Sequence, residues 1–176
     1  MMSSKELFRM VLAAMFLALA LVLPFLTAQI PQVGSALCPM HIPVLLCGFF
    51  CGPLYGLAVG LIAPPLRFLL FGMPPLMPNG IAMAFELAAY GLSSALLYRL
   101  LPKKKLCVYL ALIGAMLFGR LVWGAAEVIL LGLGNARFSW AAFVSGAFLK
   151  AFPGILVQLI LIPPLVILLK KNTGAP

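Results

Sequence analysis

Residues 38–90 are apolar almost without interruption, yet they carry His41, Arg67 and Glu86, with glycines at Gly48, Gly52, Gly56 and Gly60. A glycine every fourth residue keeps one helical face bare, so a second backbone can approach it closely. Ionisable groups in such surroundings persist only with partners or in a water-filled cavity. The stretch therefore reads as a binding site inside a membrane protein.

Composition agrees. The 176 residues are 65% hydrophobic and 9% charged, with a mean hydropathy of +1.20, against roughly 45–50% apolar and about 25% charged for a soluble domain. At about 20 residues per span the chain holds roughly five to seven transmembrane helices. The expectation is a single membrane-embedded domain covering residues 1–176.

The net charge of +9 comes from 12 basic residues set against three acidic ones. The bases are scattered through apolar segments or gathered at helix ends, without the stripe or stacking platform that nucleic acid requires. Of the four cysteines, Cys38, Cys47, Cys51 and Cys107, the pair Cys47 and Cys51 shares a helical face. No second ligand pair lies nearby, so packing thiols are expected, with no metal, no cofactor and no disulfide framework. Lys5 and Arg9 precede an apolar run longer than a signal-peptide core and without a cleavage site, which reads as a retained first span.

Six spans are expected: 7–28, a short one at 41–51, 53–71 with Pro64 and Pro65 placed to kink it, 79–101, 106–133, and 140–169 with Pro153, Pro163 and Pro164 inside. A stiff loop with three prolines, 72–78, separates the third from the fourth. Both termini then share a side. Placing them in the cytoplasm puts Lys5, Arg9, Arg99, the run Lys103, Lys104 and Lys105, and Lys170 and Lys171 inside, with Arg137 alone outside, as the positive-inside rule asks. Trp140 reads as an interfacial aromatic.

Five ionisable residues fall within spans: Arg67, Glu86, Arg120, Glu127 and Lys150. Counting back from the outer helix ends places Arg67 within roughly 8 Å, Glu86 and Glu127 about 10 Å deep, Lys150 about 15 Å and Arg120 roughly 21 Å. Two readings stand: Arg67–Glu86 and Glu127–Lys150 are ion pairs that pin the bundle, or these groups meet a ligand. His41 either bonds loop backbone at a helix start or touches the ligand. Asn79 is a turn and cap residue or a ligand contact. Trp123 lies one turn before Glu127, placed to stack a ligand or to pack. No zinc-protease, serine-hydrolase or phosphate-loop motif occurs, which argues against an enzyme.

The first helix with AAMFLALA, the outer loop leading into PMHIPVLLCGFFCGPLYGLAVG, the loop FGMPP and the following MAFELAAYG resemble the substrate-binding S components of energy-coupling factor (ECF) vitamin transporters. The resemblance covers nearly the whole chain. It implies a vitamin or related micronutrient bound in an outward-facing pocket, in a bacterial cytoplasmic membrane, and delivery by docking on a transmembrane coupling subunit with two ATPases. It also implies partner docking through an A-x-x-x-A step on the first helix, matched by Ala14 and Ala18. The HIPV stretch is most similar to the pantothenate branch, whose carboxylate would suit Arg67 or Lys150. Glu86 and Glu127 would equally suit a queuosine precursor or a pyridoxine-like base. A structural membrane subunit without a ligand is the alternative from another class.

Overall fold

The computed structural model describes residues 3–27, 37–102, 104–133, 145 and 151–173. Among them every regular element is helical. The helices are α1 (Ser4–Val22), α2 (His41–Cys51), α3 (Pro53–Phe71), α4 (Ile81–Leu100), α5 (Lys105–Leu133) and α6 (Phe152–Thr173). Arg137, Trp140 and Lys150 lie outside the described residues.

Helix α1 opens with a reciprocal cap. The Glu6 amide donates to Ser3 Oγ at 3.2 Å and the Ser3 amide donates to Glu6 Oε2 at 3.1 Å, which satisfies two of the free donors of the first turn. The third acidic residue is thereby accounted for at the helix end. A 3-10 turn, Leu23–Thr27, extends the same rod.

Between α2 and α3 the chain turns on Gly52, at φ +102, a conformation that favours glycine because a Cβ would clash. Pro53 then supplies the first residue of α3, where its missing N–H costs nothing. Gly72, at φ +71, closes α3 and donates its N–H to the Phe68 carbonyl at 2.8 Å. Helices α3 and α6 each run through an internal proline pair.

Among the described residues five helices are long and apolar enough to cross a membrane: Ser4–Leu26, Pro53–Phe71, Leu76–Leu100, Lys105–Gly132 and Phe152–Lys170. Helix α2, with 11 residues, measures only about 16 Å. Large apolar side chains point outward, among them Leu26, Leu54, Leu69 and Leu100, as lipid-facing surfaces require.

Helix α4 is the hub, packing on α2, α3 and α5. The glycines make this possible. A Cβ on Gly56 would come 2.5 Å from the Gly91 carbonyl oxygen, and one on Gly91 would collide with the Gly56 carbonyl. Gly48 meets the same Gly91 carbonyl, and Gly60 meets the backbone at Leu87. The glycine step is therefore shared by two helices, with Gly52 at the break between them. On the opposite side of α4, the Tyr90 ring fills the space left by Gly119 of α5.

Candidate functional site

Close packing of α2, α4 and α5 brings polar residues from separate parts of the sequence together. Glu86 projects from α4, and its Oε1 lies 2.8 Å from Arg120 Nη1 on α5 and 3.7 Å from His41 Nε2 at the start of α2. The His41 ring meets Tyr90, one turn beyond Glu86, edge-on at 5.3 Å between centroids. Arg120 Nη2 points at Cys38 Sγ, 3.9 Å away. All five residues are buried, with His41 and Tyr90 at 1% exposure and Glu86 at 2%.

Arg120 and Glu86 cancel each other's charge, but the cluster keeps unused hydrogen-bonding capacity. Among the described residues, both nitrogens of His41, Arg120 Nε, Glu86 Oε1 and the Tyr90 hydroxyl have no hydrogen-bond partner. The Arg120–Glu86 contact is thus close without an aimed N–H. Unsatisfied buried polar atoms are expensive and normally find water or a ligand.

Arg120, Trp123 and Glu127 follow one face of α5 at i, i+3 and i+7. Glu127 is buried, its Oε1 has no hydrogen-bond partner, and it lies near enough to Glu86 for the two carboxylates to repel. No counter-charge reaches it among the described residues. The expected Glu127–Lys150 pair falls outside them.

Arg67 stands apart from Glu86, which differs from the expected Arg67–Glu86 pair. Its Nη1 donates to the Met73 carbonyl at 2.7 Å, and its guanidinium lies 5.7 Å from the Phe25 ring centroid and 5.8 Å from that of Phe71. Asn79 is exposed within the turn Leu76–Gly80, as its turn reading expects, but α4 begins without a side-chain cap, so the cap half of that reading does not hold. Ala14 and Ala18 lie on the exposed face of α1, away from the buried Ala13, Phe16 and Ala20.

Three buried residues escaped the sequence reading. Tyr90 and Cys38 carry no formal charge, and a search for intramembrane charges passes over them. Gln158 of α6 is 1% exposed with an unpartnered Oε1. Its signal is a polar amide inside the apolar run 152–169.

Compared with known proteins, the chain matches the family described as ECF transporter, substrate-specific component, over residues 8–166. No curated protein and no solved structure gives a significant match. The match spans most of the sequence, and the chain belongs to that family of transporter subunits.

Proposed function

We propose that the protein is the solute-binding S component of an ECF-type importer in the bacterial cytoplasmic membrane. It works as one membrane domain of six crossings with both termini inside. It takes a single vitamin-like solute from outside into the space bounded by His41, Glu86, Trp123 and Glu127. It then docks through the exposed Ala14–Ala18 face of α1 on a coupling subunit carrying two ATPases, since no nucleotide-binding motif occurs in this chain.

One observation carries the choice of cargo. Arg120 is already neutralised by Glu86 at 2.8 Å, whereas Glu127 is buried without a counter-charge among the described residues. A solute that brings a protonated nitrogen, or several N–H and O–H donors, supplies what Glu127 lacks through charge-assisted hydrogen bonds. Trp123, one turn away on the same face, offers a ring for a flat or cationic group. This favours a queuosine-precursor-like or pyridoxine-like base over the pantothenate-like acid that the HIPV stretch points to. The acid would need Arg67, whose Nη1 is engaged by Met73, or Lys150.

A thermal-shift panel on the purified protein in detergent tests this, with B vitamins, their precursors and deazaguanine-type bases as ligands. A ligand at 100 times its dissociation constant adds about 2.7 kcal/mol of stability. A basic heterocycle whose shift disappears in Glu127→Gln is the expected result. A carboxylate whose shift disappears in Arg67→Gln would return the assignment to the pantothenate-like reading. A panel silent with well-folded protein would favour a structural subunit.

A further inference from the structure

The chain between α3 and α4 turns at the end of α4 that lies nearest Glu86. After Phe71 and Gly72 it runs through Met73, Pro74 and Pro75 into the wide turn Leu76–Gly80, which packs against α3, α4 and α5. Glu86 lies five residues into the helix that follows, about 7–8 Å below its start. The segment 73–80 therefore forms a roof across α3, α4 and α5 at the end of α4 nearest Glu86.

Its main chain is poorly equipped to hold itself there. Pro74, Pro75 and Pro78 have no N–H to donate, and the bond from the Gly80 amide to the Pro75 carbonyl, at 2.9 Å, is internal to the turn. The carbonyl of Met73, at the root of the roof, is bonded instead by Arg67 at 2.7 Å. The same guanidinium faces Phe25 at the end of the α1 rod and Phe71 at the end of α3, and those two rings meet edge-on at 4.9 Å. Arg67 is 4% exposed and makes no ion pair among the described residues. Keeping a guanidinium in apolar surroundings without a carboxylate is costly. Its compensation here is one carbonyl and two aromatic rings, which together tie the outer ends of α1 and α3 to the roof.

We infer that Arg67 is a positioning residue, a latch that holds the segment 73–78 closed over the site and sets how fast solutes reach it, without itself contacting the solute. The inference rests on the reading of the Glu86–Arg120 cluster as the binding site only for what lies beneath the roof.

Cys38, 6% exposed and beside Arg120, is a native reporter. The rate at which N-ethylmaleimide alkylates Cys38 in the full-length protein, followed by peptide mass spectrometry, reads the opening of the roof. Amide hydrogen exchange of residues 73–81 reads its mobility. Arg67→Gln should accelerate both by on the order of tenfold or more, as loss of a charge-assisted hydrogen bond implies, with exchange in α5 unchanged. Arg67→Lys, which keeps a charge and a donor, should recover part of the effect. Phe25→Leu, which removes one ring and leaves the hydrogen bond, should give a smaller acceleration of the same pattern.

Wild-type rates in both Arg67→Gln and Phe25→Leu would overturn the latch, as would faster exchange spread evenly over all helices. If Arg67→Gln does not fold, Phe25→Leu decides alone, and wild-type rates in it overturn the proposal. No solute enters the measurement. A failed latch therefore leaves the transport role standing, and a silent ligand panel leaves the latch standing.

Discussion

Replacing Glu86 with Gln would leave Arg120 charged and 7% exposed, its partner at 2.8 Å gone. Breaking one side of a buried pair costs about 3–5 kcal/mol, and denaturant unfolding in mild detergent should show a loss of that order. The double change Glu86→Met with Arg120→Met removes both charges and should cost far less, because no orphan charge remains. Glu127 should behave in the opposite way. With no counter-charge to lose, Glu127→Gln should leave the unfolding midpoint unchanged or raise it while weakening the ligand-induced shift. A fall of several kcal/mol in Glu127→Gln would show that the carboxylate has a structural partner. At this scale the sequence identified the participants better than their pairings. His41, Glu86 and Glu127 were legible because ionisable groups in apolar runs are conspicuous, but Glu86 was matched to Arg67 when its neighbour is Arg120. Depth counted from a helix's own end misleads where helices differ in length: α5 has 29 residues, about 43 Å, and that count puts Arg120 deeper than its 2.8 Å contact with Glu86 allows.

Helix α4 owes its place to backbone contact. The carbonyl of Gly91 sits where a Cβ on Gly48 or Gly56 would go, and Gly91 itself has no room for one against Gly56. Gly91→Ala should therefore destabilise by about 1–3 kcal/mol, the usual cost of overpacking, since the obstacle is backbone and cannot swing aside. Gly132→Ala is the matched control. That glycine lies near the end of α5 with nothing among the described residues within 4 Å of its Cβ position, and the change should leave stability unchanged or raise it by up to about 1 kcal/mol, since Ala is the better helix former. Equal gains in the two variants would mean that the glycines act through helix propensity and not through close approach. The four-residue glycine spacing and the breakers Gly52, Pro53 and Gly72 were readable because each imposes a local backbone rule. Gln158 and Tyr90 were not, because their burial depends on how helices rotate against one another. That rotation is set by the packing as a whole.

Arg99 and Lys170 converge at one end of the molecule. Arg99 reaches over Gly52 between α2 and α3, and Lys170 lies 4.0 Å from the Tyr98 ring centroid and 5.9 Å from that of Phe50. The ends of α2, α4 and α6 are therefore neighbours, so α2 runs from the Glu86 cluster toward the basic end. Its 11 residues are too few for a hydrocarbon core of about 30 Å. A full span is unnecessary, however, when the helix begins at His41, which is 1% exposed inside the bundle: backbone that is not helical is tolerated at membrane depth where protein or a cavity surrounds it. Counting long helices alone gives five and would put the termini on opposite sides. The proposed six crossings count α2 as one, and under that proposal the positive-inside rule would place the basic end in the cytoplasm. Single cysteines test the topology against a low background, because Cys38, Cys47, Cys51 and Cys107 are all buried. A membrane-impermeant maleimide should label Met77→Cys in intact cells and Lys104→Cys only after permeabilisation. The reverse pattern would invert the molecule, turning the roof and the site beneath it toward the cytoplasm and removing the basis for uptake from outside.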